Sequence, residues 1–234
     1  MTNAIQSRFF DVVERATDDS AELFTRLNRT GADFTTAPEA GDMSETHVVA
    51  VCGSLRDESV TRIALELGLE AAANHGASTE LLDLREWDLP IYDADDEDVG
   101  EAVALRERVR ASDSIVLGTP MYHGSYATPL KNALDYCGFD EFENTTVGLL
   151  AVAGGSFPIT ALDHLRSVCR SLNAWVLPHQ AAVPRASGKV ENGEFVDPDT
   201  AERVAVLGRR AVEYASIEPD PACFESGQNV GAGD

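Results

Sequence analysis

The sequence is poor in lysine. Only two of its 18 basic residues, Lys131 and Lys189, are lysines, and the basic residues face 40 aspartates and glutamates, for a formal net charge of −22. A chain so short of positive charge repels nucleic acid and anionic membrane surfaces, which need basic patches. No segment approaches the roughly 20 consecutive apolar residues of a membrane span. Neither nucleic acid nor membrane is therefore an expected partner. The opening residues, MTNAIQSRFFDVVERATDD, lack a basic region followed by an apolar run, so no secretory signal is read there. Cysteine is scarce as well: Cys52, Cys137, Cys169 and Cys223 form no CxxC pair and no regular spacing. With the signal missing, these read as reduced thiols of a cytoplasmic protein. The histidines (His47, His75, His123, His164 and His179) make no HxxxH or Cys/His cluster, so no structural metal is expected.

Acid is what the chain has in excess, scattered along its length where an interaction tail would form one block. The hydrophobic share, 44%, is that of an ordinary globular protein. An acidic cytosolic protein is one reading. A halophilic protein, whose self-repulsion concentrated salt screens, is the expectation preferred here.

From residue 46 apolar runs alternate with helical periodicity. The expected strands are 47–53, 78–84, 114–120, 145–155 and 174–184, and the expected helices 60–76, 99–112, 128–137, 158–173 and 197–215. Strands that read as continuous apolar runs point to a parallel sheet covered on both faces, hence a doubly wound α/β fold. Ligands in such folds sit beyond the carboxyl ends of the strands, here Gly53–Ser59, Thr119–Thr128 and Gly154–Phe157. Residues 1–43 are expected to be either an N-terminal extension, helical or disordered, or an artefact of start-site assignment, since Met43 precedes the first strand closely. The domain is expected over 44–216, and a disordered tail over 217–234.

The first strand passes into the first helix through Gly53-Ser54-Leu55-Arg56-Asp57-Glu58-Ser59. A helix N-terminus offers unpaired N–H groups and partial positive charge to an anion. Gly53 would permit a sharp turn, Ser54 and Ser59 could donate to phosphate oxygens, and Arg56 could add a charge-assisted contact. The plainer reading has Ser59 as a helix cap and Arg56 paired with Asp57 or Glu58. The loop lacks the GxGxxG of a dinucleotide site and the GxxxxGK[ST] of a triphosphate loop. No arginine stands six positions after Cys52, as a phosphatase thiolate would need, so Cys52 reads as a core thiol. A mononucleotide phosphate on an open sheet remains.

Three segments, GSLRDESVTRIAL, TPMYHGSYATPLKNALDY and AGGSFPITALDHLRSVCRSLNAWVLPHQAAVPRA, taken in that order, resemble the NADPH-dependent FMN reductase family of flavodoxin-like flavoproteins. The resemblance spans about residues 46 to 200. It implies a three-layer α/β/α sandwich with a five-stranded parallel sheet in the order 2-1-3-4-5. It implies bound FMN, with NADPH or NADH as co-substrate and a quinone, flavin or similar small molecule as acceptor, turned over by a ping-pong mechanism. A homodimer or homotetramer is implied too, with the acidic loop around Trp87, Pro90 and Tyr92 towards a neighbouring subunit. Carried over by position, Ser54, Arg56, Ser59 and Thr61 would hold the phosphate. Pro120, Met121, Tyr122, His123 and Gly124 would line the flavin ring, and Gly154, Gly155 and Ser156 would close around its polar edge. No catalytic side chain is expected, because the chemistry belongs to FMN. Asp57 and Glu58 depart from the family pattern by setting two carboxylates beside the phosphate. A flavodoxin-type electron carrier without efficient NAD(P)H turnover is the alternative.

Overall fold

The computed structural model describes residues 45–215, and both the expected N-terminal extension and the expected tail lie outside them. Strand β1 (His47–Cys52) leads into helix α1 (Val60–Ala73), followed by β2 (Ser78–Asp83), α2 (Ala102–Arg110) and β3 (Ser114–Tyr122). A short β4 (Ser125–Tyr126) turns back on β3 before α3 (Thr128–Asp135) and the single turn α4 (Phe139–Phe142). Then come β5 (Thr146–Val152), α5 (Ile159–Ser171) and β6 (Trp175–Val183). A hairpin of β7 (Val190–Glu191) and β8 (Glu194–Phe195) precedes the last helix, α6 (Pro198–Glu213).

The main sheet runs β2-β1-β3-β5-β6, all parallel, with the two-residue β4 pairing antiparallel to β3. Leaving β4 aside, this is the expected flavodoxin-like order. The added strand differs from expectation because residues 122–125 form a tight turn rather than an open loop: His123 and Gly124 both have positive φ, 51° and 84°, the signature of a two-residue hairpin turn.

Alternation along the strands explains why they read as apolar runs. Val48, Ala50 and Cys52 of β1 pack with Leu65 of α1 and Val204 and Leu207 of α6 on one face. Val49 and Val51 pack on the other with Leu105 of α2, Leu130 of α3 and Leu162 of α5. With helices on both faces, each residue of a central strand meets apolar neighbours whichever way it points. Between Val147–Val176 and Leu149–Gln180 the β5–β6 register shifts, so that Leu177, Pro178 and His179 stand against Gly148. Pro178 has no N–H for a ladder bond, and the bulge accommodates it on this edge strand.

Helices α1 and α6 meet at a pair of glycines. A Cβ on Gly208 would stand 1.9 Å from the Gly68 carbonyl oxygen, so the close approach of the two backbones requires glycine at 208. None of the helices among the described residues is long and apolar enough to cross a membrane.

Candidate functional site

A cleft of about 910 Å³ opens at the carboxyl ends of the strands. Its floor comes from the loop after β1 and the first turn of α1. In that turn the Ser59 hydroxyl accepts from the Arg62 N–H at 3.1 Å and so caps α1. Below it the Gly53 N–H bonds the Gly118 carbonyl at 2.8 Å. Gly53 does not have a positive φ. It is glycine because a Cβ would lie 2.7 Å from Leu130 Cβ, where α3 presses on the strand end.

The loop leaves several donors unpaired. Ser54, Ser59 and Thr61 are almost wholly buried. Among the described residues the backbone N–H groups of Ser59, Val60 and Thr61 have no acceptor, and neither does the Thr61 hydroxyl. Helix N-termini in this state bind phosphate through their N–H groups and dipole. Arg56 is exposed, lines the cleft, and forms no ion pair among the described residues. The alternative pairing with Asp57 or Glu58 is not made, and Asp57 turns to Arg85, Oδ1 lying 3.1 Å from Nη1.

One wall is the end of β3. Pro120, Met121 and Tyr122 line the cleft, with Tyr122 half exposed. Their position is fixed from below by buried Thr119, whose hydroxyl accepts from the Ala127 N–H and donates to the Pro120 carbonyl, both at 2.9 Å. From the side, Thr160 Oγ1 lies 3.4 Å from Met121 Sδ, and Ser125 Oγ 3.0 Å from His164 Nδ1, so the β3–β4 hairpin rests on α5. His123 and Gly124 form the tip of that hairpin and are not among the cleft-lining residues.

Gly154 stands at the end of β5, facing the cleft. Neither it nor Gly155 has a positive φ, and a Cβ on either would meet nothing within 4 Å. Nothing in the described chain requires glycine there, whereas a ligand lying close on the backbone would. The Gly155 carbonyl accepts from the Arg185 N–H at 2.9 Å, and Ser156 is exposed; neither residue lines the cleft.

Sequence reasoning passed over the far wall, made by Ala186, Ser187, Val190, Asn192 and Gly193. Asn192-Gly193 was a legible signal, since Asn-Gly between short apolar stretches favours a two-residue hairpin. The pair has φ of 51° and 84°. Also missed was Arg62, whose guanidinium joins the loop to Asp83.

The thiol readings agree with this picture. Burial, with Asp83 nearby, pushes Cys52 up to about 11, opposed only in part by hydrogen bonding to Ser54 and Ser59 and by Arg62. Such a thiol is no thiolate nucleophile near neutral pH.

Residues 46–188 match the family described as NADPH-dependent FMN reductase, more than half of the chain. The chain belongs to the NADPH-dependent FMN reductase family. An FMN-dependent NADPH-azoreductase of Staphylococcus aureus is 35% identical over 178 residues, covering 72% of this chain and 95% of the relative. Among solved structures, the flavoenzyme NAD(P)H:(acceptor) oxidoreductase of Paracoccus denitrificans superposes with a TM-score of 0.62 at 22% identity, covering 73% of this chain and 97% of that one. An oxidoreductase of Corynebacterium diphtheriae gives 0.61 at 22% identity, covering 75% and 100%. These structural likenesses carry the fold; membership of the FMN reductase family carries the chemistry, that of an oxidoreductase using FMN and NAD(P)H. The cleft fits that cofactor: free N–H groups and hydroxyls suit a phosphate, and the open space over Gly154 suits a flat ring.

Proposed function

We propose that this reductase uses FMN held in the cleft to pass reducing equivalents from NAD(P)H to a quinone, flavin or similar small acceptor, by a ping-pong mechanism. The observation that carries the reading is the convergence of a free-donor phosphate loop, an aromatic-bearing strand end and a bare Gly154 backbone on one cleft. Bound FMN supplies the redox chemistry by exchanging hydride with donor and acceptor.

The chain's part is to bind and orient. Ser54, Arg56, Ser59 and Thr61 take the phosphate: the hydroxyls and N–H groups donate to its oxygens, and Arg56 adds charge. Pro120, Met121 and Tyr122 form the wall beside the ring, and Gly154 lets the ring lie against backbone. His123, Gly124, Gly155 and Ser156 sit one or two positions outside this lining and act, in this reading, by shaping the turns that carry it. Donor and acceptor occupy the same space in turn, which is why initial velocities plotted as double reciprocals should give parallel lines. Intersecting lines would sink the ping-pong step.

Assembly as a homodimer or homotetramer is supported by the acidic loop. It is pinned to α3 and its C-cap: the Tyr92 N–H bonds Asn132 Oδ1 at 2.9 Å, and Asn132 Nδ2 and the Tyr136 hydroxyl bond the Pro90 carbonyl at 2.7 and 3.0 Å. Between these anchors Ile91 is 88% exposed, an apolar side chain presented to a neighbour. Sedimentation equilibrium tests this, and a monomer at micromolar protein would overturn it. A cytoplasmic, salt-rich setting accords with the free thiols and the charge of −22.

The deciding experiment is a visible spectrum of protein purified in concentrated potassium chloride, before and after anaerobic NADPH. Flavin bands that bleach on mixing support the reading. Absence of bands after incubation with FMN overturns it.

A further inference from the structure

The loop's acidic residues raise a problem that the structure answers, and the answer deepens the phosphate reading on which it rests. Asp83 closes β2 and is 6% exposed. Its Oδ2 lies 3.2 Å from Arg62 Nη1 and 3.6 Å from Arg85 Nη2, and its Oδ1 accepts from the Arg85 backbone N–H at 3.2 Å. Both arginines then reach one loop residue. Arg62 Nη2 donates to the Asp57 carbonyl oxygen, and Arg85 Nη1 lies 3.1 Å from Asp57 Oδ1. A single buried carboxylate thus grips two guanidiniums, which hold the phosphate loop by its backbone and by its side chain.

Pairing a buried carboxylate is a poor source of net stability, because desolvation offsets most of the attraction. Its value here is placement. Two residues after Asp57 the chain must leave the N–H groups of Ser59, Val60 and Thr61 free, which fixes where the Asp57 carbonyl can go. Asp57 lines the cleft; its carboxylate would repel a phosphate if left without a countercharge, and Arg85 supplies one.

We propose that Asp83 is a positioning residue for the phosphate site, acting through Arg62 to fix the loop backbone and through Arg85 to neutralise Asp57. The role concerns the phosphate end of the ligand alone. It therefore predicts a change in the ratio of affinities for FMN and for riboflavin, which shares the ring and lacks the phosphate.

The test is titration of both flavins by fluorescence quenching, in dilute and in concentrated potassium chloride, with wild type, Asp83→Asn, Arg85→Gln, Asp57→Asn and the double variant Arg85→Gln/Asp57→Asn. Asp83→Asn should weaken FMN by on the order of tenfold and leave riboflavin unchanged. Arg85→Gln should weaken FMN about a few-fold in dilute salt, less in concentrated salt, and Asp57→Asn should restore it. Equal losses for both flavins, or an unmoved ratio, overturn the inference while leaving the flavin reading intact. If Asp83→Asn fails to fold, the exposed Arg85 and Asp57 variants decide, and failure of Asp57→Asn to rescue Arg85→Gln counts against it. Wild type that binds neither flavin in either salt overturns the flavin reading, and this inference with it.

Discussion

Lys189 and Asp197 form an ion pair across the foot of the β7–β8 hairpin. Asp197 Oδ2 binds the ammonium while Oδ1 accepts from the Thr200 N–H at 2.9 Å, capping α6. The Val196 N–H bonds the Lys189 carbonyl at 2.9 Å beside them. One carboxylate therefore ties the hairpin, whose Val190, Asn192 and Gly193 wall the cleft, to the start of a core helix.

This pair should be visible in acid. The bond from Lys189, then that from the Thr200 N–H, holds Asp197 down at about 2 from the ordinary 3.8. A depressed carboxylate contributes stability that is complete above its unfolded value and disappears as pH falls through the folded one. Thermal midpoints of wild type and Asp197→Asn should thus differ by a constant amount above about pH 4 and converge towards pH 2. A difference that persists undiminished at pH 2 would contradict the assignment.

The two glycines between α1 and α6 should respond oppositely to alanine. Gly208→Ala drives a methyl into the Gly68 carbonyl, 1.9 Å away, and should cost about 1–3 kcal/mol or more. Gly68→Ala meets only Val204, at 3.8 Å. It should gain up to ~1 kcal/mol from helix propensity. Urea midpoints distinguish the two, and equal effects would mean the helices are further apart than described.

Gly154→Ala separates fold from ligand. With open space at the Cβ position, the apo protein should melt within a degree or so of wild type, in keeping with the small effects of unobtrusive substitutions. FMN affinity should fall by roughly tenfold, as expected where a ligand needs close backbone approach. Unchanged affinity would place the flavin elsewhere.

Thiol chemistry gives a fourth check. Burial raises Cys52 to about 11 and Cys137 and Cys169 to about 12. At pH 8 no more than about a thousandth of any of them is thiolate. Iodoacetamide should leave these residues unmodified in the folded protein and alkylate them after denaturation, read by peptide mass mapping.

The sheet order was legible because β1, β3 and β5 are buried on both faces and so read as unbroken apolar runs, while the helices between them keep their periodicity. The Gly53–Ser59 loop was legible because Ser59 caps the helix that follows the first strand. Close approach left a weaker mark: Gly53 and Gly208 are glycines for reasons that lie in Leu130 and Gly68, far along the chain, and no local pattern shows such a pairing. The same holds for Asp83 and Arg62, which are 21 residues apart in sequence and joined only in the fold. The far wall of the cleft was missed for a different reason. Its strands are two residues each, too short for any period to register, and only Asn192-Gly193 signalled the turn.

That far wall has a consequence for biosynthesis. Ser54 and Gly193 face the same cleft from opposite ends of the described domain, so the site is incomplete until the chain beyond β6 has been made and has returned to the loop after β1. Contacts between such distant segments form late, once the entropy of closing the intervening chain has been met. A nascent chain stopped before residue 186 would carry the whole Gly53–Ser59 loop and still lack the far wall of the cleft. With flavin in this cleft, as proposed, its tight retention would report the finished topology, and a flavin-loaded fraction would serve as a count of correctly folded molecules.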